Sequence, residues 1–194
     1  LNNTAVGHEA GLFATTADNS TFVGFQAGKG ITGTKLTGNR NTAFGADAGL
    51  YLQGGASENC IFGALAGDAI TTGGENCLFG MGAGGAIQTS IRNTFFGDDA
   101  GNTCTTGDSN VAIGHTAMGV GTTTGDYNIA IGHAAGNLIS SGTMNTVVGG
   151  FAGDSLTTGT SNTAVGYLAL SLEDAHGYNT AVGHSALPVL NAGA

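Results

Sequence analysis

Positive charge is almost missing from this chain. Lysine and arginine together supply 4 of 194 residues, too few to neutralise a run of phosphates, so no nucleic-acid-binding face is expected. Against 13 acidic residues they leave a net charge of −9, which also disfavours an anionic membrane surface. Long apolar runs are missing too, so no membrane insertion by a helix is expected. Three cysteines cannot close a fully paired disulfide framework. Charged residues make up 9% of the chain, against about 25% in an ordinary soluble domain. The 41% hydrophobic content nevertheless separates it from a disordered composition.

What the chain has in excess is glycine, 37 residues, and the glycines mark a repeat. A unit reading Asn-x-apolar-apolar-Gly-x-x-Ala-Gly recurs along residues 1–194, first as Asn3-Thr4-Ala5-Val6-Gly7-His8-Glu9-Ala10-Gly11. Numbered from its Asn, the unit has its invariant Gly at position five. The eleven copies of that glycine are Gly7, Gly24, Gly45, Gly63, Gly80, Gly97, Gly114, Gly132, Gly149, Gly166 and Gly183. Successive copies lie 17 or 18 residues apart, except for one spacing of 21 that contains Thr34-Lys35-Leu36-Thr37-Gly38. That polar insertion should map to a loop.

Seventeen residues are too few for a helical-hairpin repeat, and glycine with β-branched residues inside every unit disfavours helix. Short strands closed by Gly, Asn and Thr turns fit the length. The expected fold is therefore an all-β, parallel β-solenoid of about 11 coils of 17–18 residues, in one repeat domain. Equivalent positions stack at about 4.8 Å, giving a rod about 50 Å long. Position one is Asn in ten copies, including Asn93 and Asn162. Stacked, these should form an amide ladder that satisfies turn groups. Glycine at position five, as in Gly7, Gly97 and Gly166, should permit a bend that a Cβ would block. Alanine at position eight should sit where two walls run close together.

Positions three and four are apolar in every copy. Successive strand residues point to opposite faces, so both faces should be buried, one inside the coil and one against a copy of the chain. Position four is always substantial in size and is assigned to the coil interior: Val6, Phe44, Phe62, Phe79, Phe96, Ile113, Ile131 and Val165. Position three is assigned to the shared interface, where alanine allows close approach: Ala5, Phe22, Phe95, Ala130 and Ala164. On this assignment Phe96→Asp should prevent folding or assembly.

Two resemblances sharpen the expectation. Asn110-Val111-Ala112-Ile113-Gly114 and Asn128-Ile129-Ala130-Ile131-Gly132 resemble the head repeat of trimeric autotransporter adhesins. Asn162-Thr163-Ala164-Val165-Gly166-Tyr167-Leu168-Ala169-Leu170 is similar to repeats of bacteriophage and algal-virus fibre proteins. The resemblance spans all eleven repeats. It implies a left-handed roll, a homotrimer, and a structural extracellular role at a virion or cell surface, with attachment to a cell-surface glycan or receptor. The unit is longer than the adhesin one. The ends, Leu1-Asn2-Asn3-Thr4 and Leu190-Asn191-Ala192-Gly193-Ala194, carry no charged cap. They suit a segment of a longer fibre or end-to-end polymerisation into a filament.

Other chemistry is thinly represented. His8, His115, His133 and His184 share position six, and His115 with His133 are the candidate metal ligands if that position lines an axis. Asp98, Asp99, Asp47 and Glu9 could attract calcium but read as surface charge. Cys60 and Cys77 occupy position two of neighbouring coils, close enough for a disulfide yet poorly aimed for one, so they are expected reduced. Threonine at position two hints at ice binding, but Cys60, Cys77, Val111 and Ile129 interrupt the rank. Glu173, Asp174 and His176 break the repeat and read as a surface turn. No Gly-x-Ser-x-Gly elbow, Walker loop or His-Glu-x-x-His occurs, so no catalytic residue, no enzyme activity and no cofactor are expected.

Overall fold

A strand that can be only three residues long must be held by its neighbours, and here each one is. A computed structural model describes residues 2–172 and 175–188. Among the described residues are eleven strands: β1 (Thr4–Val6), β2 (Thr21–Val23), β3 (Thr42–Phe44), β4 (Cys60–Phe62), β5 (Cys77–Phe79), β6 (Thr94–Phe96), β7 (Val111–Ile113), β8 (Ile129–Ile131), β9 (Thr146–Val148), β10 (Thr163–Val165) and β11 (Thr180–Val182). They form one sheet in sequence order. Every pair is parallel and in exact repeat register, as in Ala43↔Ile61 and Phe44↔Phe62. The expected parallel β-solenoid is the observed fold. No α-helix occurs among the described residues.

The corner ahead of each strand is an amide ladder. The backbone N–H of Asn59 donates to Asn41 Oδ1 (3.2 Å), and Asn59 Nδ2 donates to the same oxygen (3.0 Å) and to the carbonyl of Gly73 (2.9 Å). The pattern repeats at Asn76, Asn128, Asn145 and Asn162. Each buried amide thus has its donors and acceptor used, the condition under which a buried polar network stabilises. Ser20 replaces Asn in the second coil, and its hydroxyl takes over the acceptor role toward the Asn41 N–H (3.1 Å).

The corner after each strand needs glycine twice over. At position five φ runs from +127° at Gly114 to +142° at Gly97, and a methyl on Gly97 would lie 2.6 Å from the carbonyl oxygen of Gly114. Beyond that bend the second wall uses the left-handed region at position seven even without glycine, as at Asp47, Leu65 and Thr116. The residue before position one does likewise in the second to eleventh coils, from Asn19 to Tyr178. Intercoil hydrogen bonds hold these strained residues, for example Asp47 N–H to the Phe25 carbonyl (2.8 Å).

The two strand faces are the reverse of the sequence assignment. Position three fills the coil: Phe22, Phe95, Ala130 and Ala164 are buried, and only Ala5, in the first coil, is exposed. Position four points outward. Val6, Phe44, Phe79, Phe96, Ile113 and Val165 are exposed, and Phe62 and Ile131 half-buried. Residue size misled because interior volume is balanced among three positions rather than held at one. Where position three is Phe22 or Phe95, position nine is glycine, and a Cβ on Gly28 or Gly101 would strike the ring. Where position three is Ala112 or Ala164, position nine is Met118 or Leu170, and both are fully buried. In other coils position twelve supplies the bulk, as Leu52, Ile70, Ile87, Ile139 and Leu156. Alanine at position eight is buried from Ala27 to Ala169, lining the narrow part of the coil as expected. The insertion does form a loop, with an isolated Ile31↔Thr34 bridge, but Leu36 inside it turns inward and is fully buried.

Candidate functional site

Because the strands are three residues long, positions two and four share the outer face. Position four makes one unbroken apolar column from Val6 to Val182. Its centre is a stack of Phe44, Phe62, Phe79 and Phe96, with ring centroids 5.5, 5.1 and 5.1 Å apart and interplanar angles of 16° or less. Such offset stacks are worth about 0.5–1.5 kcal/mol per pair beyond the area they bury. Beside it runs position two, with threonine, Cys60, Cys77, Val111 and Ile129. Neither rank holds a charge. A face about 50 Å long and two residues wide amounts to an area on the order of 500 Å², at the upper end of what monomers leave bare.

Position six borders this face with a second, discontinuous ring column. His8 stacks on Phe25 (5.4 Å), His115 on His133 (5.3 Å, 4° between planes), and Tyr167 on His184 (5.4 Å). Phe151, from position seven, meets His133 edge-on at 4.9 Å. The parallel stacking of His115 and His133 is unfavourable for metal ligation within one chain, because parallel rings do not aim two nitrogens at one point. Asp98 Oδ2 lies 3.7 Å from His115 Nε2. Among the described residues no group of three or more His, Cys, Asp or Glu is placed to hold a metal ion.

The acidic candidates scatter. Asp98 turns toward His115, while Asp99 accepts a hydrogen bond from Asn102 Nδ2 (3.0 Å), so the sequence pair does not act as one ligand set. Glu9 is held by Lys29 Nζ (2.6 Å) and Gln26 Nε2 (2.8 Å), and those bonds keep its carboxyl below the usual range. Glu173 and Asp174 lie outside the described residues. The three thiols are free. Cys60 and Cys77 are register partners on the outer face. Cys104 is buried at position twelve, and desolvation pushes its thiol up to about 12, the opposite of a nucleophile's requirement.

Two surface cavities lie away from the strand face. One, about 240 Å³, sits beside the insertion between Phe13, Lys29 and Tyr51. The other, about 400 Å³, opens over Gly82 and Gly85. A repeat is recognised by what recurs; these cavities arise where the repeat departs from itself, which is why pattern reading passes over them. No family model matches the chain, and neither a curated protein nor a solved structure does.

Proposed function

We propose that the chain is a structural segment of an extracellular fibre or adhesin, and that it works as a homotrimer packed along the outer strand face. The observation that carries this reading is the uncharged, apolar position-four column, continuous through eleven coils and stacked at its centre into four phenylalanine rings. Closing three copies about an axis covers such a stripe on every copy and leaves none exposed, whereas an open arrangement always presents one more. The resemblance of the Asn-Val-Ala-Ile-Gly and Asn-Thr-Ala-Val-Gly segments to adhesin-head and viral-fibre repeats supplies the number three. In this role the chain's work is mechanical. The amide ladder and the in-register sheet make the rod stiff, and the walls facing away from the axis remain available for attachment at a virion or cell surface.

Sedimentation equilibrium of the intact chain tests the reading. The expected species at micromolar concentration has three times the 18.9 kDa mass of the chain. A stable monomer would overturn it, and an open size distribution would replace the closed trimer with a filament.

A further inference from the structure

Positions seven and ten are the outer side chains of the wall beyond the position-five bend. In the fourth coil they are Leu65 and Asp68, and in the sixth Asp99 and Asn102. In the fifth, and in no other coil, both are glycine, Gly82 and Gly85. The missing side chains leave a notch of about 400 Å³, floored by bare backbone and closed by Met81 and Ala86.

Side-chain oxygens dominate the polar chemistry of the notch walls. A methyl group on Gly85 would lie 2.5 Å from Asn102 Oδ1 and 3.5 Å from Asp68 Oδ1, and one on Gly82 would strike Asp99 Oδ1. Three side-chain oxygens from two neighbouring coils therefore overhang the floor. The backbone N–H groups that could have balanced them are already used: those of Gly82, Gly84, Gly85 and Ala86 donate to the carbonyls of Ala64, Ala100, Gly82 and Asn102. Asn102 Nδ2 donates to Asp99. None of the four lysines and arginines lines the cavity. The notch offers acceptors and an apolar surface from Leu65, Met81 and Ala86.

We propose that this notch binds one neutral sugar residue of a glycan. A pyranose presents hydroxyl donors on its edge and a C–H face beside them, which matches acceptors set next to Leu65 and Met81. The volume lies in the range of small-ligand pockets, about 300–1,000 Å³. Sulfated, phosphorylated or carboxylated sugars are disfavoured by the Asp68 and Asp99 carboxylates, which no Lys or Arg in the cavity lining offsets. A metal ion would use the oxygens but leave the apolar walls without a role. The site lies within one chain and on a different wall from the strand face, so it does not depend on self-association.

Retention of the intact chain on immobilised neutral disaccharides (lactose, cellobiose, maltose and chitobiose), with sialyllactose and heparin as anionic probes, tests the proposal in buffer containing EDTA. At least one neutral probe should retain the chain and neither anionic probe should. Gly85→Leu should abolish retention while keeping a cooperative thermal melt, because Leu12 and Leu50 occupy position ten in other coils, Gly85 needs no positive φ, and the atom in the way, Asn102 Oδ1, ends a side chain that can turn aside. Asp68→Ala should weaken retention about tenfold, the effect of losing one charged acceptor. No neutral probe retained, equal retention by Gly85→Leu, preference for an anionic probe, or retention only when calcium replaces EDTA would each overturn it. Sedimentation of the same samples reads self-association separately.

Discussion

Phe95 and Phe96 are adjacent, identical in chemistry and opposite in role. Phe95 is fully buried against the glycine at position nine of its own coil, and Phe96 stands more than half exposed in a column of rings. The same contrast runs along the whole sheet. The inner rank varies from alanine to phenylalanine, with position nine or twelve adding bulk where it is alanine, from Ala43 to Ala164, while the outer rank never falls below valine and is left uncovered by the described residues. Bulk that never drops to alanine at a position thus reports stacking along the rod, and bulk that comes and goes reports three-way packing inside a coil.

The largest effect that can break this contrast is a charge in the inner rank. Phe95→Asp buries an unpaired carboxylate, costs several kcal/mol, and should yield chain with no cooperative β-sheet melt by circular dichroism. Phe95→Ala should cost about 3–5 kcal/mol, and adding Gly101→Met should restore a large part of it. That pair copies the neighbouring coil, where Ala112 is combined with Met118 in the same positive-φ position; chemical denaturation of both variants gives the comparison. Removing one rung of the corner ladder by Asn128→Ala strands the Gly142 carbonyl and the Asn145 N–H groups, at a cost of about 3 kcal/mol, read in the same denaturation experiment. The smallest effect is chemical. Thiol titration of the folded monomeric Phe96→Asp chain should modify Cys60 and Cys77 on the outer face and spare Cys104, which reacts only after denaturation.

Much of this was legible before any coordinates. The eleven coils, the parallel stacking, the Asn ladder, the position-five glycine and the buried position-eight alanine all follow from residues that recur at fixed spacing, since recurrence in a solenoid is contact between neighbours. The direction of the two strand faces was not legible. It depends on sums of volume across positions three, nine and twelve, which no single column displays: Phe22 reads as variable until Gly28 is seen beneath it. Leu36 was hidden for a similar reason, as one apolar residue in a polar insertion. The notch over Gly82 and Gly85 was hidden by abundance, because two more glycines among 37 carry no signal until position seven and position ten are known to be adjacent outer sites.

The measurement that bears most directly on the outer column is sedimentation equilibrium of Phe96→Asp beside the unmodified chain, with circular dichroism on both. A solvent-facing aspartate leaves the coil interior untouched, so the variant should keep the β spectrum and melt as a folded species. Packed against its own copies, the same carboxylate loses its water, so the variant should sediment as a monomer where the unmodified chain sediments as a trimer. A Phe96→Asp chain that unfolds would return position four to the interior, and one that remains a trimer would move the contact between copies to another wall.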